Sequence, residues 1–390
     1  MNNILLVIPT YYPAIKYGGP IFSTLNTSEE INKLNNIKLS VVTTNANKNE
    51  RLDIITNQWI KINNTDIKYY NDSIIDKLSF PLMFNIWKDI KKNDIIHIQS
   101  IFNTPTPISL FYSRVLKKPI VLSPRGSLGD WCLSNGRGSF IKKAWINLLI
   151  KPFSNHITWH ATSNQEKKEI LTLFPNARIK IIPNGVDLNE YKKKPAIPYN
   201  QWKKKYNINE KDKIIISMGR IEKKKGFDIL IKSFHNVISK KNNLTLLIAG
   251  PDHGEQKKLM ELVKTLELTE KVHFVGMLSG DDKLCFLKYA DVFVLPSYNE
   301  NFGNVYLESL ASGTPIIASK NTPWSEVEKN QCGLWVNNSI EETTQAIINI
   351  LDSDLKFLSH NSIHFSNKYS WNQVAIEFKD LFNSMKGDNE

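Results

Sequence analysis

The sequence predicts an α/β protein built from two doubly wound domains, each a parallel β-sheet covered by helices. Short apolar runs that lack an alternating polar pattern are separated by amphipathic segments, which is what a buried parallel sheet requires. This succession stops at a polar, basic stretch containing Pro195 and Pro198, and then starts again. The length of 390 residues also exceeds that of one ordinary domain.

The first domain is predicted to span residues 1–190. In "HATSNQEKKEI", Ser163 is expected to cap a helix, and Glu166, three residues later, fits a capping box. The Asn-Gly turn in "PNGVD", residues 183–187, marks the end of the domain. The strand candidates are NILLVIP, KLSVVTT, DIIHIQS, PIVLSPRG, HITWHATS and RIKIIPNG.

Residues 191–210 are predicted to form a linker and a lead-in helix, and residues 211–368 a second α/β domain. Its strand candidates are KIIISMG, LTLLIAG, KVHFVG, DVFVLPS and PIIAS. Residues 369–390 are expected to contain a carboxyl-terminal helix, capped by Ser370, that packs back on the first domain. Doubly wound sheets bind ligands at the carboxyl ends of their strands, so we expect the functional site in a cleft there.

The composition is that of a folded protein with anionic partners. Hydrophobic residues make up 41% and charged residues 23% of the chain, which excludes a disordered protein. The formal charge of +12 favours phosphate-bearing substrates, nucleic acid or an acidic membrane surface. Residues 101–160 contain eight Lys and Arg residues but only one acidic residue, Asp130. This segment is expected to face an anionic partner.

The three cysteines indicate neither a disulfide framework nor a metal knuckle, because they are odd in number and widely spaced. We therefore expect a reducing, cytoplasmic setting. The amino terminus reads as a first β-strand without a signal peptide, and no apolar run reaches the roughly 18 residues of a membrane span. Any membrane contact is expected to be peripheral.

The loop in "SMGRIEKKKGFDIL" carries two cations at the carboxyl end of a predicted strand. The turn starts at Gly219 and a helix starts near Gly226, so that Arg220 and Lys225 lie between them. A planar guanidinium and a lysine ammonium together suit a diphosphate. A solvated basic loop is the alternative, because further lysines flank the pair.

The stretch "NENFGNVYLESLASGTPII" places two carboxylates around the predicted start of a helix near Asn304. The first amides of such a helix can bind an anion. Glu300 precedes the helix, and Glu308 lies inside it, about 6 Å further along the axis. One acid can then reach a sugar while the other accepts ribose hydroxyls. The alternative is that Glu300 complements the helix dipole and Glu308 is a surface residue.

Glycines and polar residues also follow strands of the first domain. In "IKYGGP", Gly18 and Gly19 let the backbone approach a ligand closely, although a plain turn explains them equally well. His97 lies near the end of one strand, and Arg125 and Gly126 follow the next. An isolated histidine is more often structural than substrate-binding, so both interpretations of His97 are kept.

The succession of these motifs resembles the retaining family 4 glycosyltransferases (glycosyl transferases group 1). The resemblance extends over essentially the whole chain, and the paired glutamates together with Arg220 and Lys225 are its most specific part. It implies the GT-B fold, with two Rossmann-like domains facing across a cleft, and a hexosyltransferase activity. The matching motifs are GRIEKKKGFD, LLIAGP, VHFVG, ADVFVLPSYNENFGNVYLESLASGTPII and TPWSEVEKNQCGLWV.

The resemblance also implies roles for individual residues. Glu308 corresponds to the acid that holds the ribose hydroxyls, while Glu300 and the backbone of Asn301 to Asn304 correspond to donor-sugar contacts. Many relatives carry a histidine where this chain has Arg125, which leaves the role of Arg125 open. The implied sets are Arg220, Lys225 and Glu300 for catalysis, Gly219, Asn301, Phe302, Gly303, Asn304 and Glu308 for the donor, and Gly18, Gly19, His97, Arg125 and Gly126 for the acceptor or phosphate.

The implied reaction transfers a sugar from a nucleotide-diphosphate donor with retention of configuration, by a front-face displacement. No metal is expected, since the cations and the helix amino terminus take the place of a metal. A UDP-sugar is preferred to GDP-mannose as donor, on the breadth of the family. Asp352 to Asp354 spell an Asp-x-Asp pattern, but they follow a helical run far from the strand-end loops, so no metal site is predicted there.

The segment "GRGSFIKKAWINLLIKPF", residues 136–153, mixes basic and aromatic residues and suits an anionic lipid surface. A helix with one face in the core is the alternative. A membrane role implies a lipid-linked glycan acceptor and a place in bacterial surface polysaccharide assembly (O-antigen, capsule or lipopolysaccharide). The residues concerned are Arg137, Lys142, Lys143, Lys151, Phe140, Trp145, Leu148, Leu149 and Ile150.

Other functions remain open at this stage. A nucleotide-sugar epimerase or a phosphorylase can share the same two-domain plan. A non-catalytic sugar-nucleotide binder would keep Glu308 and lose Arg220 or Lys225. A nucleic-acid-binding protein is not favoured, because no binding module or aromatic-basic pattern on a sheet is recognisable.

Overall fold

The chain folds into two units, each with its own parallel sheet and its own hydrophobic core. The computed structural model describes residues 1–73, 77–134 and 138–387. The amino-terminal unit comprises residues 1–185 and the helix that begins at Trp371, and the carboxyl-terminal unit is Val186–Ser370. The predicted α/β class with two doubly wound domains is confirmed.

The amino-terminal unit has an eight-stranded sheet of order β10-β9-β8-β7-β1-β2-β6-β5. All neighbours pair in parallel except β5 and β6 at one edge. A separate hairpin is formed by β3 and β4. The strands are β1 (Asn2–Thr10), β2 (Ile37–Thr44), β3 (Ala46–Asn47), β4 (Glu50–Arg51), β5 (Trp59–Ile62), β6 (Thr65–Tyr70), β7 (Ile95–Gln99), β8 (Ile120–Ser123), β9 (Ile157–Ala161) and β10 (Arg178–Ile181).

Helices cover this sheet and connect its parallel strands. A π-helical turn, Ile146–Ile150, and a 3₁₀ segment, Lys151–His156, continue from α5. The helices are α1 (Gly19–Ile31), α2 (Phe80–Lys92), α3 (Pro105–Val115), α4 (Asp130–Ser134), α5 (Ser139–Trp145) and α6 (Asn164–Leu173).

The carboxyl-terminal unit has a six-stranded, wholly parallel sheet of order β13-β12-β11-β14-β15-β16. The segment expected to be a linker packs into this unit, where Trp202 is fully buried. The strands are β11 (Lys213–Met218), β12 (Leu244–Ala249), β13 (Val272–Gly276), β14 (Val292–Leu295), β15 (Ile316–Ser319) and β16 (Gly333–Val336). The helices are α7 (Leu188–Lys192), α8 (Tyr199–Lys205), α9 (Phe227–Ile238), α10 (Gln256–Thr265), α11 (Gly280–Lys288), α12 (Asn304–Ala311), α13 (Glu326–Lys329), α14 (Ile340–Asp352) and α15 (Leu355–Ser366).

The last helix, α16 (Trp371–Gly387), packs on the amino-terminal unit, as the fold prediction proposed. Its apolar side chains, from Trp371 to Phe382, share a core with β1 and β2. The backbone at Gly185 approaches so closely that a Cβ there would lie 2.5 Å from the Trp371 indole. The glycine of the predicted Asn-Gly turn therefore makes room for the first residue of this helix.

A buried hydrogen-bond chain lies beneath α16 and joins three strands. The acceptor at its end is the carbonyl of Ile182, which receives the His160 Nε2 hydrogen at 2.8 Å. His160 Nδ1 must then accept from the Ser123 hydroxyl at 2.7 Å, and Ser123 Oγ accepts from His97 Nε2 at 2.8 Å. Burial lowers the pKa of His160 to about 3 and that of His97 well below its usual value, which favours neutral rings and therefore this direction of donation.

The burial of His97 in this hydrogen-bond network corrects its interpretation as a substrate contact. The residue is 1% exposed, and its ring lies 5.5 Å and 5.9 Å, between centroids, from those of Phe378 and Phe382 on α16. It lies at the centre of β7 rather than at the strand end that the sequence suggested, and its side chain points into the core beneath the last helix. The structural role is the one that the geometry supports.

Because both histidines are neutral in the folded protein, we expect acid to destabilise this unit. The unfolded chain binds protons at these histidines near pH 6.5 and the folded chain does not, so stability is complete above that pH and falls as the pH drops below it. Each histidine contributes up to about 1.4 kcal/mol per pH unit in this range. His160→Gln should flatten the decline in the urea midpoint between pH 7 and 5. An unchanged slope, equal to that of a control with the exposed His364→Gln, would contradict the assignment.

Candidate functional site

The order of strands brings the two motifs of the carboxyl-terminal unit together. Because β11 pairs with β14 in parallel, the loops that follow both strands leave the same edge of the sheet. The Tyr298 amide donates to the Lys224 carbonyl at 2.9 Å. Gly226 has φ +68°, and a Cβ there would lie 2.1 Å from the Pro296 carbonyl oxygen. Only glycine allows this approach, so the loops form one site.

The predicted catalytic residues Lys225 and Glu300 contact each other within this site. The Lys225 ammonium pairs with Glu300 Oε1, and the two side chains are only 13% and 11% exposed. Ser297 Oγ donates to the same carboxylate oxygen at 3.1 Å. The stem of Lys225 lies over Gly219, where a Cβ would be 3.2 Å from Lys225 Cε. The carboxylate thus fixes the lysine at the strand end.

Arg220, the other predicted cation, differs from Lys225 in exposure. Its side chain is 56% exposed and pairs with Glu222 at 3.1 Å. Burial lowers the pKa of Lys224 in the same loop, against the opposing charge of Glu300. The loop therefore concentrates positive charge, with Arg220 accessible to an anion.

The loop before α12 presents backbone donors. The helix begins at Asn304, as predicted, after Gly303 in the left-handed conformation at φ +76°. The amides of Asn301, Phe302 and Gly303 donate to no acceptor among the described residues. Asn301 Oδ1 is likewise buried without a partner among them. These groups are placed to bind a ligand at the helix amino terminus.

The Phe302 side chain holds this loop in place. Its ring is 6% exposed and packs edge-on against Trp324 at 5.2 Å between centroids. Its carbonyl accepts from Trp324 Nε1 at 2.7 Å. Only the amide of Phe302 is therefore left for a donor, as the backbone role implied by the family requires.

Glu308 has one paired carboxylate oxygen and one buried oxygen with no partner. Oε1 pairs with Lys283 of α11 at 2.8 Å, and Oε2 accepts no hydrogen bond from the described residues. Tyr191 of α7 lies nearby: burial and the charge of Glu308 raise the pKa of its hydroxyl. That hydroxyl makes no hydrogen bond to Oε2 of ordinary geometry. A buried carboxylate oxygen without a donor costs free energy that a ligand hydroxyl would recover.

Lys283 and Tyr191 were missed by the sequence analysis, although both lie beside Glu308. Lys283 belongs to a helix that precedes β14, and Tyr191 follows the "PNGVD" turn. A lysine in an amphipathic helix and a tyrosine after a turn carry no local signal of a site. Their place depends on the packing of α7 and α11 against α12.

In the amino-terminal unit, the predicted glycine loop lies before α1. Gly18 has φ +79° and precedes the helix, which starts at Gly19. Apart from adjacent backbone, no atom of the described residues lies within 4 Å of where a Cβ would stand on Gly18 or Gly19. The space above both residues is open, which leaves room for a ligand. Their contact with a ligand remains a prediction.

Arg125 is held by amide side chains at the carboxyl edge of the same sheet. Its Nη1 donates to Asn184 Oδ1 at 2.8 Å and its Nε to Gln99 Oε1 at 3.3 Å, and the residue adopts φ +57°. Burial lowers the Arg125 pKa, while the charge of Glu166 raises it. Among the described residues, none forms an ion pair with Arg125, so its charge is available to an anion.

Glu166 does not form the predicted capping box. Ser163 caps α6 as expected, accepting from the Glu166 amide at 3.1 Å. The Glu166 carboxylate, however, accepts from the amide of Gly126 and from that of Thr162, each at 2.7 Å, and not from the Ser163 amide. The side chain thereby joins the loop after β8 to the end of β9.

Within residues 1–73, 77–134 and 138–387, no cluster of three or more His, Cys, Asp or Glu side chains is arranged to hold a metal. The Asp-x-Asp residues are used otherwise: Asp352 pairs with Lys241, and Asp354 caps α15. No helix in the described part of the chain is both long and apolar enough to span a membrane.

The basic and aromatic segment is partly surface and partly core. Phe140 is 84% and Leu148 72% exposed, and Lys143 and Lys151 are also exposed. Ile150 is fully buried, because the π-helical turn directs it to the core, so its prediction as a lipid contact is wrong.

Of the other members of that segment, two form hydrogen bonds to backbone carbonyls, one is half-buried and one lies outside the described residues. Trp145 donates from Nε1 to the Ile101 carbonyl at 3.0 Å, and Lys142 reaches the Cys132 carbonyl. Leu149 is half-buried. Arg137 lies outside the described residues.

Two family models match this chain. The model described as glycosyltransferase family 4 matches residues 17–190, and the model described as glycosyl transferases group 1 matches residues 198–363. The two matches follow each other and fall in the two units of the fold.

Named relatives and a solved structure agree with these models. The chain is 26% identical to alpha-monoglucosyldiacylglycerol synthase of Streptococcus pneumoniae, over 82% of this chain and 71% of that protein. It is 29% identical to the O-antigen biosynthesis glycosyltransferase WclY of Escherichia coli, over 54% of this chain and 57% of that protein. The crystal structure of Anabaena HepE in complex with UDP has a TM-score of 0.77 at 17% identity, over 98% of this chain and all of that one.

The similarity to HepE concerns the fold, and the relatives and family models concern the sequence. The motifs around Lys225, Glu300 and Glu308 lie within the region matched by the second model, and the two matches cover most of both Rossmann-like units. The resemblance predicted from the sequence is thereby confirmed. The chain belongs to the family 4 glycosyltransferases and has their GT-B fold.

Proposed function

We propose that this enzyme transfers a hexose-type sugar from a nucleotide-diphosphate sugar to a glycan acceptor, with retention of configuration and without a metal. The observation that carries the proposal is the buried Oε2 of Glu308, which has no donor among the described residues. It lies on the helix whose preceding loop offers the amides of Asn301 to Gly303. A ribose diphosphate supplies both the hydroxyl donors and the anion that this arrangement lacks.

The donor is assigned to the carboxyl-terminal unit. Glu308 accepts ribose hydroxyls, Arg220 and Lys225 bind the diphosphate, and Glu300 with the amides before α12 contacts the sugar. A UDP-sugar is preferred to GDP-mannose, and HepE, which shares this fold, is described in complex with UDP. A non-catalytic binder is less favoured, since this chain retains both Arg220 and Lys225 beside Glu308.

Catalysis rests on stabilising the leaving diphosphate. As the glycosidic bond to the donor phosphate breaks, negative charge grows on the diphosphate oxygens, close to Lys225, Arg220 and the amino terminus of α12. The acceptor hydroxyl attacks the same face of the sugar, and its proton passes to the departing phosphate. Glu300 is paired with Lys225, which suits it to orient that lysine and the sugar rather than to form a covalent bond.

The acceptor is assigned to the amino-terminal unit and is proposed to be lipid-linked. Gly18, Gly19, Arg125 and Gly126 lie after strands of that unit, with the Arg125 charge unpaired by any described carboxylate. The named relatives include a glycolipid synthase and an O-antigen enzyme. The proposal places the enzyme at the inner face of the bacterial cytoplasmic membrane, held peripherally, in the synthesis of a surface polysaccharide such as O-antigen, capsule or lipopolysaccharide.

Removing the Glu308 carboxylate should weaken donor binding. Glu308→Ala deletes a charged acceptor worth about 1.5–3 kcal/mol, which corresponds to a roughly 10- to 150-fold higher Kd. Calorimetric titration with UDP, GDP, ADP and CMP sugars, in the presence of a chelator, measures this and names the base. The control is Glu261→Ala, which removes an exposed helical glutamate from the same unit. Equal donor affinities in the two variants would refute the assignment.

The Lys225–Glu300 pair allows its catalytic role to be separated from its structural one. Lys225→Met leaves a buried carboxylate unpaired, which should lower the free energy of unfolding by about 3 kcal/mol. The double variant Lys225→Met, Glu300→Gln removes both charges and should regain most of that stability. Turnover should stay at least roughly tenfold below the wild type in both variants, because the diphosphate loses its cation. Recovery of turnover with stability would assign the pair a purely structural role.

The exposed apolar side chains after α4 should mediate membrane binding. Phe140→Ser together with Leu148→Ser removes two side chains whose burial in lipid contributes about 1.5–3 kcal/mol each, so vesicle affinity should fall at least roughly tenfold. Co-sedimentation with phosphatidylglycerol vesicles measures this. The matched control changes Met260 and Phe357, exposed residues of the other unit, to serine. A loss no greater than in the control would remove this segment from the membrane contact.

A further inference from the structure

A cavity of about 360 Å³ opens at the amino-terminal edge of the first sheet, away from every residue assigned above. It lies where β8, β9 and β10 begin, next to the end of α3. The loop that carries Arg125 leaves the opposite end of β8, a strand length of about 10 Å away. The residues that line the cavity are Ser113, Arg114, Lys117, Lys118, Pro119, Ile120, His156, Thr158, Arg178 and Met385.

The described residues of the lining are strongly basic and include no carboxylate. Arg114, Lys117 and Lys118 come from α3 and the turn after it, His156 from the 3₁₀ segment, and Arg178 from β10. Among the described residues, none forms an ion pair with Arg114, Lys117 or Lys118. Cations brought together without counter-charges repel each other, and a bound anion would relieve that repulsion.

A buried hydroxyl supplies a second, independent observation. Ser113 is fully buried and lines the cavity, and its Oγ has no hydrogen-bond partner among the described residues. Buried hydroxyls are nearly always paired, so one without a partner at the wall of a cavity indicates a missing ligand atom. Because Ser113 Oγ has almost no accessible surface, an anion oxygen in the cavity would accept its hydrogen after the side chain turns towards the cavity.

Complementation of a helix dipole explains only part of this arrangement. The dipole of α3 stabilises basic residues at its carboxyl end, which accounts for Arg114 and its neighbours in the following turn. It does not account for Arg178 or His156, which reach the same cavity from other elements. Convergence of separate elements is what distinguishes a binding site from a basic helix end.

We propose that this cavity is a second anion site that binds a phosphate-bearing ligand larger than a single phosphate. Its volume falls within the roughly 300–1,000 Å³ of small-ligand pockets. Pro119, Ile120 and Met385 supply an apolar wall beside the cations. A phospholipid headgroup and a free diphosphate ester share this chemistry. The site is independent of the proposed sugar transfer, because it uses none of the donor or acceptor residues.

The test measures pyrophosphate binding to the full chain by calorimetry. The wild type should bind two equivalents, one at this cavity and one at the donor loop. Arg114→Gln with Lys118→Gln should weaken one binding event at least tenfold and leave UDP-sugar binding unchanged, which also shows that the variant is folded. Arg220→Gln with Lys225→Gln should remove the other event. The charge-matched control is Lys257→Gln with Lys264→Gln, two exposed lysines of α10.

Vesicles distinguish the source of the phosphate. If a lipid headgroup is the ligand, Arg114→Gln with Lys118→Gln also weakens co-sedimentation with phosphatidylglycerol vesicles relative to the charge-matched control. If only pyrophosphate binding responds, the ligand is a free phosphorylated molecule, and the site stands. A response no greater than that of the control in both measurements overturns the proposal. Loss of the donor-loop event alone bears on the proposed transfer and not on this cavity.

Discussion

The parallel pairing of β11 with β14 is the contact on which the proposed donor site depends. The chain crosses from β11 to β12 and β13 on one side and then returns to β14 on the other, so the strand order reverses at this pair. The loops after β11 and β14 consequently leave the sheet side by side and contact each other. Gly226 allows the contact with the Pro296 carbonyl, and Lys225 and Glu300 meet although 75 positions separate them. The pairing of β1 with β7 repeats this arrangement in the first unit.

Both carboxylates of the paired-glutamate motif are bound to lysines in this structure. Glu300 pairs with Lys225 and Glu308 with Lys283, and neither pair is freely exposed. An acid held in this way is a poor nucleophile, and its charge is already partly compensated. These pairs support the proposed role of the site in binding and in electrostatic stabilisation of a phosphate leaving group, rather than in covalent catalysis. Two sets of groups lack hydrogen-bond partners among the described residues. Glu308 Oε2 has no donor, and the amides of Asn301 to Gly303 in the loop before α12 have no acceptor.

The two edges of the amino-terminal sheet have different chemistry. At the carboxyl edge, Arg125 is surrounded by amide side chains, and the Glu166 carboxylate ties two loops together. At the amino edge, several cations converge on a cavity whose described lining residues include no carboxylate. Helix α16 covers His97 and His160 between these edges, so the last helix in the sequence completes the core of the first unit. The concentration of positive charge in residues 101–160 is thus distributed over both edges and the exposed segment after α4.

The sequence by itself determined the features that depend on near neighbours. Apolar runs predicted the buried strands, local signals placed the start of α12 and the Ser163 cap, and the motif order identified the family. Arg220, Lys225 and Glu300 lie in loops that follow predicted strands and Glu308 lies inside the next helix, and the family resemblance singled out these four residues.

Tertiary structure alone decided which of these side chains meet. His97 looked like a site residue at a strand end, but α16, contributed by a distant segment, covers it. Lys283 and Tyr191 gained their place beside Glu308 only through helix packing, and Ile150 turned to the core through a π-helical turn. The cavity of Arg114 and Arg178 requires three strands in register. Periodicity and capping are local properties of the chain, whereas these contacts depend on strand order and helix packing, which no short stretch of sequence encodes.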